Sequence, residues 1–228
     1  LWIFILLTLN HSINAQDFLE SRIKKIAQKD GLASSKVNVI FKDSHNFVWL
    51  GTDNGLDRFD GKTINHFCVS SSCEGGTDNA YIKAIFESSD GRLWIGSKEG
   101  MAYFNRNSQE FIQVDSIDLH VLCFSEDSDG NLIIGAETGG YILPKGQKEV
   151  QPLVAFWDFK ESISEHTSPV SSVFVDSKGL IWLGSWDYGL QIFDPVNGKA
   201  ELVSEKLGIT KEEEKIGGVL SIKEGPDG

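Results

Sequence analysis

One segment of this chain, residues 37–60, VNVIFKDSHNFVWLGTDNGLDRFD, is written four times. Aligned on Trp49, Trp94, Ile133 and Trp182, the copies stand 45, 39 and 49 residues apart. A period of this size means stacked supersecondary units, each too small to bury its own faces. Eight residues before the anchors stand Phe41, Phe86, Ser125 and Phe174; twelve before them stand Val37, Ile82, Val121 and Val170. Asn46, Gly91, Gly130 and Gly179, three before the anchors, accept positive φ and mark a tight turn between two strands. Gly51, Gly96, Gly135 and Gly184, two after, fall inside a strand, where glycine signals close approach of a neighbouring sheet. Gly55, Gly100, Gly139 and Gly189 then sit where a short hairpin needs them.

A third strand closes on Phe59, Phe104, Leu143 and Phe193, and a fourth is expected at 62–67, 109–114, 148–154 and 199–203. Four short antiparallel strands per copy, with no 3.6-residue apolar period, define an all-β fold, a β-propeller fragment. Four four-stranded blades are expected at 37–68, 82–114, 121–154 and 170–203, with 219–228 repeating the start of a fifth. The chain therefore reads as a piece of a longer protein.

Residues 30–61, DGLASSKVNVIFKDSHNFVWLGTDNGLDRFDG, closely resemble the first repeat of the two-component regulator propellers. The matching residues are Asp30-Gly31-Leu32, Asp43-Ser44, Trp49-Leu50-Gly51-Thr52, Asn54-Gly55-Leu56 and Arg58-Phe59-Asp60. LWIGSKEGMAYFN and IWLGSWDYGLQIFD match the same repeat less fully, and LIIGAETGGYIL least. The resemblance implies the periplasmic sensor region of a hybrid two-component histidine kinase, with these blades part of a seven-bladed ring. In such proteins an immunoglobulin-like module, a membrane helix and a cytoplasmic kinase follow. The implied role is sensing and signal transmission, without catalysis by the propeller and without a cofactor. An oligosaccharide is the implied ligand, a homodimer of the parent protein the implied assembly, and a helix beyond this sequence the only implied link to the membrane.

Residues 1–9, LWIFILLTL, are apolar but too few to span a bilayer as a helix. Followed by HSINA, they read as a secretory signal covering 1–15 and cleaved after Ala15. Residues 16–36 form an N-terminal arm, in which Arg22-Ile23-Lys24-Lys25-Ile26 is either a strand that completes a closing blade or a short helix. The 33 acidic against 21 basic residues give a net charge of −12, which disfavours nucleic acid as a partner. Of three cysteines, Cys123 is expected to be a buried thiol, while Cys68 and Cys73 can close a small disulfide loop in an oxidising periplasm. No zinc-ligand spacing accompanies them, and no metal is expected.

The repeat lets structural residues be subtracted. Trp49, Trp94 and Trp182 share one blade position, whereas the repeat has no place for Trp157 or Trp186. Loops between blades and loops between second and third strands emerge on the same end of a propeller. Trp157, Asp158, His166, Trp186, Asp187 and Tyr188 are therefore the candidate ligand-binding residues: aromatic faces beside carboxylates suit a sugar ring. Asp53, Asn54, Lys98, Glu99 and Glu137 occupy the other hairpin tips and read as solvated turn residues.

An enzyme, a glycoside hydrolase or lyase, is the rival. Sialidase-type propellers carry a related aspartate turn, but Asp43, Asp127 and Asp176 stand six residues before the anchor rather than five. Hydrolysis of a glycoside also wants two carboxylates facing one bond, and no such pair rises above the repeat. A non-catalytic interaction scaffold is the third reading.

Overall fold

The computed structural model describes residues 25–69, 80–114, 119–153, 169–186, 189–208 and 218–225. These residues form four separate four-stranded antiparallel sheets, each running in sequence order from inner to outer strand. The first holds β1 (Val37–Lys42), β2 (Val48–Thr52), β3 (Gly55–Phe59) and β4 (Ile64–Phe67). The second holds β5 (Ile82–Glu87), β6 (Leu93–Ser97), β7 (Gly100–Asn105) and β8 (Glu110–Val114). The third holds β9 (Val121–Glu126), β10 (Leu132–Ala136), β11 (Gly139–Leu143) and β12 (Gln151–Pro152). The fourth holds β13 (Val170–Val175), β14 (Ile181–Ser185), β15 (Leu190–Asp194) and β16 (Lys199–Leu202). Across blades, β5 touches β1, β9 touches β5, and β13 touches β9, as inner strands grouped around one axis do.

The glycines act where the repeat places them. A Cβ on Gly51 would lie 2.6 Å from Cγ2 of Ile82, and one on Gly96 would lie 2.6 Å from Cγ1 of Val121. Gly135 meets the Val170 carbonyl oxygen at 2.6 Å, and Gly184 meets Cγ1 of Val219 at 2.6 Å. In the first three blades the second strand thus gives up a side chain so that the first residue of the next inner strand can seat against it, and in the fourth Val219 takes that place. The turn before the second strand uses φ of 67° at Asn46 and about the same left-handed region at Gly91, Gly130 and Gly179.

The core lies between blades. Trp49, Leu56 and Phe104 pack with Ile82, Ile85, Leu93 and Ile95 between the first and second. Trp94 and Met101 meet Val121, Leu132 and Ile134 between the second and third. Ile133 meets Val170, Val173, Ile181 and Leu183 between the third and fourth. The anchors Trp49, Trp94 and Ile133 are therefore the side chains that join the first three blades each to the next. Because each face is covered only by a neighbour, no blade is stable alone.

Two details depart from the sequence reading. The fourth strand of the third blade is only Gln151–Pro152, where 148–154 was the expected length. Pro152 has no N–H for the ladder, yet the Leu153 N–H beyond it still donates to the Gly140 carbonyl at 2.9 Å, and residue 154 lies outside the described residues. The last blade's edge strand ends at Leu202, and Val203–Lys206 form a single helical turn. At the other end, Gln28–Asp30 make a 3-10 turn, and the Ala33 N–H donates to the buried Asp57 carboxylate at 2.8 Å, tying the arm to the first blade. The strand-or-helix segment Arg22 to Ile26 lies mostly outside the described residues, as does the expected signal at 1–15. Among the described residues no helix is long and apolar enough to cross a membrane.

Candidate functional site

Antiparallel strands divide each blade into two ends. The turns joining first to second and third to fourth strands lie at one end; the hairpins joining second to third strands, and the connections to the next blade, lie at the other.

The turn end is built alike in the first, second and fourth copies, where a carboxylate or hydroxyl receives the anchor's indole N–H. Asp43 Oδ1 accepts from the backbone N–H groups of His45 and Phe47, and its Oδ2 accepts the Trp49 indole N–H at 2.9 Å. Asp176 does the same with Lys178, Leu180 and Trp182. Ser88 takes the Trp94 indole N–H in the second copy. In the third copy the anchor is Ile133, which has no N–H to offer, and Asp127 instead accepts from the Asn131 side chain at 2.8 Å. Asp43, Ser88 and Asp176 each stand six residues before the indole they hold, and Asp127 keeps the same offset from Ile133. Burial works against ionisation of Asp43, but the Trp49 and Phe47 hydrogen bonds and the Arg106 guanidinium outweigh it and hold its carboxyl below the ordinary range. Asp176 is held low in the same way, by Trp182, Leu180 and Lys178.

Adjacent blades are latched at this end. Ser44 donates its N–H and hydroxyl to Glu87, and Ser89 donates both to Glu126. Ser177 makes the same contact with Glu224. Arg106 adds a second bridge, to Asp43 at 3.3 Å and Glu87 at 2.7 Å. A cavity of about 260 Å³ lies here between the fourth blade and residues 222–225, but Phe174, Asp176 and Trp182 in its lining are the repeat's own packing set.

The hairpin end differs from blade to blade. One backbone bond recurs: Asp53 N–H to Lys36 O, Lys98 N–H to Tyr81 O, and Glu137 N–H to His120 O. It places each hairpin tip beside the residue that precedes the inner strand. The side chains so paired are not the same. Lys36 Nζ meets Asp53 at 3.0 Å, His120 Nδ1 meets Glu137 at 2.7 Å, and Lys98 Nζ stands over the Tyr81 ring, 5.6 Å from its centroid. A β-bulge adds to this end: the inner-strand ladder shifts between Val37 and Val39, Ile82 and Ala84, Cys123 and Val121, and Val170 and Ser172. Asn38, Lys83, Leu122 and Ser171 are the extra residues, re-aimed out of the ladder. Asn38 donates to Asp53 at 2.8 Å and to the Ile82 carbonyl of the next blade at 3.2 Å. That bond, against some burial and with Lys36 helping, holds Asp53 low.

Of the residues singled out from sequence, Trp186 stands at this end, 47% exposed, directly after β14. Its backbone packs against the segment at Gly218, where a Cβ would approach Trp186 Cα to 2.9 Å. Trp157, Asp158, His166, Asp187 and Tyr188 lie outside the described residues. Cys68 is disulfide-bonded; Cys73, the partner expected for it, also lies outside. Cys123 is a free thiol whose pKa burial pushes up to about 12, which makes it inert. No cluster of three potential metal ligands occurs among the described residues. The residues that sequence reasoning passed over are Tyr81 and Lys83. Extending the subtraction to the bulge and to the position before each inner strand would have found them.

The fold and its repeated turn define a β-propeller. Residues 31–54 and 75–99 match the family model described as two component regulator propeller. Among solved structures it is similar to the extracellular domain of a putative one-component system from B. thetaiotaomicron, with 19% identity, a TM-score of 0.62, and 74% of this chain but 22% of that one covered. The extracellular domain of a putative hybrid two-component system from the same organism gives 20% identity and a TM-score of 0.61, covering 76% of this chain and 23% of that one. Virginiamycin B lyase from Staphylococcus aureus gives 12% identity and a TM-score of 0.54, covering 73% of this chain and 55% of that one. This chain thus spans under a quarter of the first two structures' length. No curated protein matches it.

Proposed function

We propose that this chain is part of the extracytoplasmic sensor of a two-component regulatory system, and that its hairpin end receives an oligosaccharide. The observation that carries this reading is the pair of matches to the family model, which fall on the first two of four successive propeller blades. The division of labour between the two ends supports it. The turn-end carboxylates are committed to indole and backbone donors, while Asp53, Lys98, Glu137 and Trp186 are presented by hairpins that the packing leaves free to vary. Ligand binding, together with pairing of a second copy of the parent protein, would shift the balance between two arrangements that the membrane helix conveys inward. No chemistry is asked of the propeller.

The lyase likeness favours an enzyme only at the level of fold. Against it stand Asp43 and Asp176, which are held ionised by several donors each and so are poor general acids. The test is calorimetric titration of the full-length protein's extracytoplasmic region with a panel of oligosaccharides. We expect saturable binding of one glycan class without turnover, weakened about tenfold or more in Trp186→Ala. Cleavage of a glycan, or no binding across the panel, overturns the reading; binding unchanged in Trp186→Ala removes that residue from the site.

A further inference from the structure

The first two blades hold a concentration of positive charge that neither the fold nor the overall composition explains. Three ammonium groups surround one phenol: Lys83 Nζ lies 4.9 Å from the Tyr81 ring centroid, Lys36 Nζ 5.5 Å and Lys98 Nζ 5.6 Å. This occurs on a chain of net charge −12. The three lysines come from three different repeat positions. Lys36 precedes β1, Lys83 is the bulge residue of β5, and Lys98 is the hairpin tip after β6.

The other copies show that none of these charges is structural. Where the second blade has Tyr81, the others have Lys36, His120 and Pro169. Where it has Lys83, they have Asn38, Leu122 and Ser171; where it has Lys98, they have Asp53, Glu137 and Trp186. All four blades fold with the same ladder and the same bulge whatever occupies these places.

Among the described residues the charge is balanced only in part: Asp53 pairs with Lys36, accepts from Asn38 and also feels the charge of Lys83. Among the described residues, no carboxylate stands within 4 Å of Nζ of Lys83 or Lys98. Bringing like charges onto one ring costs free energy in the empty protein, and the face of the phenol returns part of it. A bound oxyanion would return the rest, since ammonium groups recognise carboxylate, sulfate and phosphate oxygens as point charges from several directions.

We infer that the Tyr81 cluster, Lys36, Lys83 and Lys98 at the junction of the first two blades, is a binding site for an oxyanion carried by the ligand, a sulfate or carboxylate group on a sugar. This deepens the sensor reading and rests on it for the sugar alone. The Tyr81 ring is bracketed by cations, so it serves as a cation platform rather than as a stacking surface for the sugar. Specificity for a charged ligand is then set by the first two blades, while Trp186 lies on the fourth.

The test separates the anion from the sugar. The full-length protein's extracytoplasmic region is titrated with inorganic sulfate, galacturonate, galactose 6-sulfate, neutral galactose and the oligosaccharide panel, for the wild type, Lys83→Gln/Lys98→Gln and Lys83→Arg/Lys98→Arg. We expect saturable sulfate and acidic-sugar binding, weakened about tenfold or more in the glutamine variant, kept in the arginine variant, and reduced by added salt. The sulfate arm reports carriage of a free anion, and the two acidic sugars distinguish a sulfate from a carboxylate ligand. Sulfate binding lost in the glutamine variant, with no sugar bound, upholds the anion site and removes the oligosaccharide. Binding of neutral glycans alone, insensitive to both variants, leaves the sensor and overturns the anion site. No binding of any probe overturns both.

Discussion

The two ends of these blades follow opposite rules. At the turn end a tight turn recurs in all four copies, an aspartate or serine holds an indole N–H in three of them, and a serine-to-glutamate latch recurs between blades. At the hairpin end only the backbone recurs, and the side chains it carries change charge and type from one blade to the next. Repetition marks what the fold needs; variation within a repeated frame marks where the chain is free to acquire a ligand. The exception at the turn end makes the same point. Between third and fourth blades Val175 stands where Glu87, Glu126 and Glu224 stand elsewhere, and that boundary relies on apolar packing of Ile133, Val173 and Val175.

The comparison breaks most severely where neighbouring blades crowd. Gly96→Val places a branched side chain against Val121 and the Ala84 Cβ, both in neighbouring strands. We expect a loss of about 3 kcal/mol or more, read as collapse of the urea unfolding midpoint or failure to fold. At the turn end, Asp43→Ala strands the Trp49 indole N–H, two backbone N–H groups and the Arg106 guanidinium. A loss of about 2–4 kcal/mol in urea unfolding is expected, with sulfate affinity unchanged.

Acid sharpens the same contrast. Asp43, Asp60 and Asp176 have folded pKa values below the ordinary 3.8, Asp60 at about 2 through the N–H groups of Thr63 and Lys62. A depressed carboxylate contributes stability that is present above the unfolded value and lost as pH falls through the folded one. Stability should therefore hold from neutral pH down to about 4 and fall from there toward 2, with a shallower fall in Asp43→Asn; urea midpoints at stepped pH read this out.

Smaller still is Glu126→Gln. The latch to Ser89 is exposed, so its loss should cost about 1 kcal/mol or less in the same unfolding assay. Smallest is Lys83→Gln/Lys98→Gln, for which the expected stability change is within about 0.5 kcal/mol while sulfate binding is lost. A larger drop would mean that these lysines are structural after all.

The turn end was legible in the sequence because each of its parts repeats in phase. Gly51 and its counterparts announced the crowding, and Asn46 and Gly91 announced the turn. The reason for an aspartate at the sixth residue before the anchor was not legible, since the indole bond closes only once the turn has formed. The hairpin end was half legible. Subtracting the repeat exposed Trp186, but Tyr81, Lys83 and Lys98 come from different repeat positions and meet only when the bulge turns Lys83 and the Lys98-to-Tyr81 backbone bond brings the tip alongside. The short β12 was not legible either: Pro152 interrupts the edge ladder by bringing no N–H to it, although Leu153 beyond it still donates to the Gly140 carbonyl.

Hydrogen–deuterium exchange of the full-length protein, with and without saturating sulfate, tests the separation of the two ends in one experiment. Protection is predicted in peptides covering 36–38, 81–83 and 97–99, with exchange at 43–47, 88–91 and 176–179 unaltered. Protection confined to those turn peptides, with none around Tyr81, would contradict the account.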